Sequence, residues 1–183
     1  MSVHIAEQRP VSIESLASED LPEKFVELIA GELVHTTPAG KFHNRVASNF
    51  ELLFRTFCAD RPDLDFGGDN EGFLLRRNPD TLLSPDACLF RRRPAPEQGW
   101  MDFAPEIVVE VLSPANHPVE ILYKRKEFFS CGTEQFWIAD PQQEILEIWH
   151  RDGRLLTASA DAVLAGEGLA EGMSIPLPVL FAE

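Results

Sequence analysis

Glu110 lies inside the run Ile107-Val108-Val109-Glu110-Val111-Leu112, whose β-branched density is that of a central strand buried on both faces. Strand alternation sets its carboxylate on the same face as Val108 and Leu112, where the pattern calls for apolar burial. A charge there needs a partner. The pair so formed is either a structural ion pair or part of a functional site. Asp86 offers such a partner: Pro85-Asp86 opens the short apolar strand Ala87-Cys88-Leu89-Phe90, which places a carboxylate at a strand end, where sites are commonly built. Pro-Asp is also a frequent turn. Two carboxylates on adjacent strands can hold a hard cation such as Mg²⁺.

A magnesium-dependent phosphodiesterase also needs a cation near the attacking water, to position it and to offset charge developing in the transition state. Lysine suits that role. In Ile121-Leu122-Tyr123-Lys124-Arg125-Lys126-Glu127-Phe128-Phe129 the apolar helical face centres near Arg125, with Lys124 flanking it beside Ile121 and Phe128, and Lys126 beside Leu122 and Phe129. Periodicity leaves the two lysines equivalent, and both can equally snorkel from the edge of an amphipathic helix. His43 stands at the start of a long helical stripe, with no other histidine at a metal-ligand spacing from it. Glu27 and Glu32 fall on the two arms of an early hairpin, where strand carboxylates usually face water, although either can turn into a cleft.

These residues must be positioned by the elements around them. Phe25 to Ile29 and Glu32 to His35 flank Ala30-Gly31 as a tight hairpin, and Ser12 to Asp20 reads as a short acidic helix. From Lys41 to Ala59, Phe42, Val46, Phe50, Leu53, Phe54 and Phe57 form one buried helical stripe, closed by Arg61-Pro62. Strands are expected at Gly72 to Arg76, Asp86 to Arg91 and Glu106 to Leu112, with Ser113-Pro114 ending the last. A second helix over Val119 to Cys131 stops at Gly132, and strands follow at Gln135 to Ile138, Glu144 to His150 and Leu155 to Thr157, the last two turned by Asp152-Gly153. Pro94 to Gly99 reads as an exposed loop. The layout is α/β (α+β): a mixed β-sheet flanked by helices, with an N-terminal β-hairpin and a C-terminal β-meander. The expected organisation is an N-terminal extension over 1–20 and a single domain over 21–183.

Composition limits the function classes. With 183 residues and 44% hydrophobic content, the chain suits one domain with a substantial core. No apolar run approaches the ~18 residues of a membrane span, and Met1 to Pro10 lacks the pattern of a secretory signal, so a soluble cytoplasmic protein is expected. Cys58, Cys88 and Cys131 suggest neither a disulfide framework nor a zinc knuckle. The absence of a P-loop, a dinucleotide fingerprint and a G-x-S-x-G elbow removes support from the common nucleotide-binding and serine-hydrolase readings. A net charge of −14 repels a polyanion at long range, so any nucleic-acid site must be local. Arg76-Arg77, Arg91-Arg92-Arg93 and Lys124-Arg125-Lys126 are the local basic runs, a pattern that is also common on solvated faces.

Taken together, the segments resemble the Uma2 family of restriction-endonuclease-like domains in the PD-(D/E)XK nuclease superfamily. The resemblance runs from Val26-Glu27-Leu28-Ile29-Ala30-Gly31-Glu32-Leu33-Val34 through His43 and Ser84-Pro85-Asp86, and it is densest at Pro105 to Pro114. It continues through Lys124, Gly132 to Pro141 and Leu177-Pro178-Val179-Leu180-Phe181. It implies a restriction-endonuclease-like fold and a metal-dependent endonuclease acting on DNA, with Mg²⁺ or Mn²⁺ held by Asp86 and Glu110. The superfamily lysine, expected two positions after the middle acidic residue, is Leu112 here. Uma2 sequences resemble one another in a substitute lysine eight residues before the glycine of the segment Gly132 to Trp137, which is Lys124 and not Lys126. By the same resemblance Glu32 corresponds to an early glutamate assisting at the metal, and His43 to an early-helix histidine without an assigned role. A homodimer would fit a cut on both strands. Two other function classes stay open: a non-catalytic binding or assembly module on the nuclease fold, and a hydrolase of a small nucleotide or phosphorylated substrate.

Overall fold

The run around Glu110 forms the strand on which the whole arrangement is built. The computed structural model describes residues 10–18, 26–35, 40–68, 71–94, 99–114 and 118–182. The expectations for Met1 to Arg9, for Glu19, Asp20 and Phe25, and for the middle of the 94–99 loop lie outside these residues.

In chain order the elements are α1 (Ile13–Ser18), β1 (Val26–Ile29), β2 (Glu32–His35), α2 (Lys41–Cys58), β3 (Leu64–Gly68), β4 (Phe73–Arg76), β5 (Thr81–Leu83) and β6 (Ala87–Arg91). There follow β7 (Ile107–Val111), α3 (Pro118–Cys131), β8 (Gln135–Asp140), β9 (Ile145–His150), β10 (Leu155–Ser159), β11 (Val163–Ala165), a 3₁₀ turn at Gly168–Ala170, β12 (Ser174–Pro176) and α4 (Leu177–Leu180). Six strands make the main sheet in the order β10-β9-β8-β7-β6-β3. Its one parallel pair is β7 with β8, and a parallel pair needs a crossover, which α3 supplies. The consecutive antiparallel strands β8, β9 and β10 are the expected C-terminal meander. This is the mixed sheet flanked by helices that the sequence predicts.

Strand alternation sorts β7 between two cores. Ile107, Val109 and Val111 point into the larger one, where Phe50 and Phe54 of α2 meet Trp137 at ring-centroid distances of 6.2 and 5.7 Å, favourable separations for aromatic pairs. Val46, Phe50, Phe54 and Phe57 form the buried stripe of α2, as their spacing requires. Val108 points the other way, into a smaller core with Leu83, Ile121, Phe128 and Phe136. Glu110 shares the face of Val108, so it is directed toward α3 and away from α2.

The early hairpin does not join the main sheet. It belongs to a separate antiparallel sheet of order β2-β1-β5-β4. Its turn places Ala30 at φ 50° and Gly31 at φ 83°, the two left-handed residues that a tight two-residue hairpin demands. A side chain at Gly31 would also strike Pro10. Ile13 of α1 packs against Leu28 and Leu82 of this sheet, and its backbone N–H donates to Asp80 Oδ2 at 2.8 Å. The segment around α1 is therefore packed on the second sheet. No helix among the described residues is long and apolar enough to cross a membrane.

Candidate active site

Where α3 lies over the gap between the two sheets, a buried cluster of charge forms. Lys124 projects from the buried face of α3 and is 5% exposed. Its Nζ donates to Glu110 Oε1 at 3.3 Å and Oε2 at 3.2 Å. On its other side Glu27, from β1 of the second sheet, places Oε1 2.9 Å from the same Nζ. Glu27 Oε1 also accepts from the backbone N–H of Ser84 at 2.9 Å, two residues before Asp86. One ammonium thus joins a helix and both sheets. Glu27 Oε2 is buried without a hydrogen-bond partner among the described residues.

Asp86 stands immediately before β6 and is laced to the Glu110 strand from both directions. Its backbone N–H donates to the carbonyl of Val109 at 3.1 Å, and its Oδ2 accepts from the backbone N–H of Val111 at 2.6 Å. These bonds tie Asp86 to the residues on either side of Glu110. His43, in the first turn of α2, holds Nε2 3.3 Å from the same Oδ2. The structure therefore brings Asp86, Glu110, Lys124 and His43 into one neighbourhood from, respectively, the segment before β6, β7, α3 and α2.

Burial dominates the electrostatics. It pushes the Glu110 carboxyl well above the usual carboxylate range, with Asp86 and Glu27 adding repulsion and Lys124 opposing. Burial pulls the proton affinity of Lys124 down, but Glu110 and then Glu27 outweigh it and hold the ammonium above its ordinary range. Lys124 is a fixed positive charge, and Glu110 is a carboxyl whose ionised form burial disfavours.

Three carboxylates against one ammonium, with one carboxylate oxygen orphaned in a dry position, make a donor set of hard oxygens with surplus negative charge. That chemistry fits a small divalent cation, which is typically bound through one or two carboxylates with water and substrate phosphate completing the shell. Among the described residues no group of three or more His, Cys, Asp or Glu side chains gathers around a single point in ligating geometry, so the fit is to a site of that sparse kind.

One expected site residue stands apart from this cluster, and the expected centre of the α3 face needs correction. Glu32 is exposed at the turn end of β2, opposite Ile29, and it is Glu27, one arm earlier, that reaches the lysine. Both carboxylates lie on one face of the hairpin, because Glu32 is the register partner of Ile29, and Glu27 differs in standing two residues farther from the turn than Ile29. The sequence carries only a weak signal for this, because Glu27 is a charge in a short strand beside a turn. The buried face of α3 also centres on Ile121, Lys124 and Phe128, not on Arg125. Partnering carboxylates draw Lys124 inward, while Arg125 lies 3.7 Å over the Trp149 ring and Lys126 is exposed.

The basic runs are largely matched by acids. Arg76 pairs with Glu127, Arg77 with Glu14, Arg92 with Asp65, and Arg93 with Glu106 at 2.6 Å.

A family model described as "Uma2: Putative restriction endonuclease" matches residues 13–179. A crystal structure entitled "a putative nuclease belonging to DUF820 from Anabaena variabilis ATCC 29413" superposes with a TM-score of 0.80 at 17% identity, covering 94% of this chain and 98% of that one. At that identity the likeness carries the fold. No curated protein matches the chain.

Proposed function

Because the chain belongs to the Uma2 family, we propose that the Glu27–Lys124–Glu110 cluster and the adjoining Asp86 form the active site of a metal-dependent endonuclease that hydrolyses phosphodiester bonds of DNA. The observation that carries this reading is the buried ammonium of Lys124 between two carboxylates, with a third carboxylate hydrogen-bonded to the strand beside it. Asp86 and Glu110 are the residues that would hold Mg²⁺ or Mn²⁺. Such an ion, when bound, supplies Lewis acidity to a phosphoryl oxygen and acidifies a water.

The chain's own residues supply the rest. Lys124 stays protonated, so it is a donor and not a proton acceptor: it steadies the attacking water and offsets charge that builds on the phosphate during in-line displacement. Glu27 holds that ammonium in place together with Glu110, a role distinct from the assistance at the metal expected of Glu32. Val111 and Val109 fix Asp86 through their backbone groups, and His43 restrains its Oδ2. The burial of Glu27, Glu110 and Lys124 makes each of these charges count for more.

A second reading is favoured by one observation: the acidic pairing of Arg76, Arg77, Arg92 and Arg93 leaves these side chains already neutralised, which weakens them as a track for a polyanion. It is hydrolysis of a small nucleotide or phosphodiester at the same site. Incubation of the protein with supercoiled plasmid, single-stranded DNA and bis(p-nitrophenyl) phosphate in Mg²⁺, Mn²⁺ and EDTA separates the two. Metal-dependent nicking of plasmid supports the endonuclease, turnover of the small ester alone supports the second reading, and no turnover of any substrate contradicts both. Cleavage of both strands calls for paired sites, and the expected homodimer is read by light scattering.

A further inference from the structure

Beside the charged cluster runs a groove of about 430 Å³, within the size range of pockets that take small ligands. Leu112, Ile121 and Ile138 line it, and each is the neighbour of a residue in the site. Leu112 follows Glu110 by two positions and continues the strand through a bond from its N–H to the Ala139 carbonyl. Ile121 lies one helical turn before Lys124 on the buried face of α3. Ile138 is the register partner of Glu110 across β7 and β8. Adjacent strands lie about 4.7–4.9 Å apart, and helical neighbours about 5–6 Å. The groove therefore begins one side chain away from the cluster.

Its polar lining is biased toward acceptors. Asp140 Oδ1 takes the backbone N–H groups of Gln142 and Gln143 at 2.9 and 3.0 Å, which fixes the carboxylate in the groove wall. Glu147 is fixed in the same manner, with Oε2 accepting from Trp149 Nε1 at 2.9 Å. Gln143 adds an amide, and Arg125, lying over the Trp149 ring, closes one side. Two carboxylates repel a phosphate group, whereas apolar walls with carboxylate and amide acceptors suit a flat, neutral heterocycle that carries N–H donors.

We propose that this groove binds a nucleobase, either one swung out of a strand whose phosphate lies at Glu110 and Lys124 or that of a free nucleotide. The inference rests on the phosphodiester-hydrolysing reading for its substrate class, but binding in the groove requires no turnover. Carboxylates accept from amino groups on bases, so guanine, with an amino group beside a ring N–H, fits better than thymine. Extrusion of a base beside a reacting phosphate costs least in single-stranded nucleic acid.

The test is calorimetric titration in EDTA, using Glu110→Gln protein so that neither metal nor cleavage enters. The probes are GMP, TMP, inorganic phosphate, and a short single strand with or without one abasic position. Leu122→Trp fills the groove from a side chain that is 55% exposed, so the core is untouched, and Gln143→Ala removes a polar wall. The expected result is that GMP or the intact strand binds more tightly than TMP or the abasic strand by about tenfold, and that Leu122→Trp abolishes the difference while its melting temperature matches the parent. GMP binding with indifference to the abasic position identifies a free nucleotide as the source, and the reverse identifies a strand. Binding that discriminates no base, binding unchanged in both groove variants, or no binding of any probe overturns the proposal. A protein that binds GMP here yet cleaves no phosphodiester keeps the groove and loses only the catalytic reading.

Discussion

Lys124 Nζ stands 2.9 Å from Glu27 Oε1, a buried ion pair that pins helix α3 to the first strand of the smaller sheet. Both side chains are almost entirely removed from water, so breaking the pair from one side leaves a charge uncompensated. Lys124→Met is expected to lower stability by about 3–5 kcal/mol, because it strands Glu27 and Glu110 together. Adding Glu27→Gln to that variant should recover part of the loss by removing one of the stranded charges. Urea denaturation in EDTA measures both, and a Lys124→Met protein as stable as wild type would contradict the pair's structural weight.

Glu27 and Glu32 make a matched comparison, since they share one hairpin and one chemistry. Glu27→Gln should reduce metal-dependent cleavage by about 10–100-fold, the usual cost of removing a residue that orients a site from behind. Glu32→Gln, at an exposed position, should leave stability within about 0.5 kcal/mol and leave cleavage unaltered. Initial rates of plasmid nicking decide between them, and the opposite order would return the role to Glu32.

Why Glu110 was legible and Glu27 less so has a physical basis. Glu110 interrupts a five-residue strand that is otherwise uniformly apolar, so its misfit is visible over a long window. Glu27 sits in a four-residue strand beside a turn, where a charge ordinarily faces water. Its burial comes from the second sheet meeting α3, a tertiary event that no local pattern encodes. The same holds for Lys124: helical periodicity weighs it as polar and centres the face on Arg125, whereas the folded helix buries it because acids await it. The long α2 stripe and the β7 strand were legible for the converse reason, strong period and strong β-branching. β3, with Gly67 and Gly68, and the three-residue strands β5, β11 and β12 carry too little pattern to be read locally and exist through their partners.

The elevated proton affinity of Glu110 makes stability depend on pH with a definite sign. Below the ordinary carboxylate value the residue is protonated whether the chain is folded or not. As pH rises past that value the unfolded chain releases its proton while the folded chain retains it, so stability falls until the higher folded value is passed. Lys124 stays charged throughout this window. A bound divalent cation compensates the carboxylates, so Mn²⁺ should raise the melting temperature more at about pH 8 than at about pH 5. Glu110→Gln should flatten both responses. Scanning calorimetry across that range checks this, and an equal Mn²⁺ shift in wild type and Glu110→Gln would place the ion elsewhere.

Trp137 is fully buried against Phe50 and Phe54, and its Nε1 donates to Gln135 Oε1 at 2.9 Å. It anchors α2, and with it His43, to the main sheet. Trp137→Ala should cost about 3–5 kcal/mol, read from the denaturation midpoint, and a loss below about 1 kcal/mol would mean that the core collapses to fill the space.

The central claim, that Glu110 belongs to a metal-dependent phosphodiesterase site, is tested most directly by cleavage of supercoiled plasmid at low salt with wild type and Glu110→Gln in Mg²⁺, Mn²⁺ and EDTA. Nicking that requires the metal and disappears in Glu110→Gln protein that remains folded is the predicted result. Metal-dependent nicking that persists undiminished in Glu110→Gln contradicts the account.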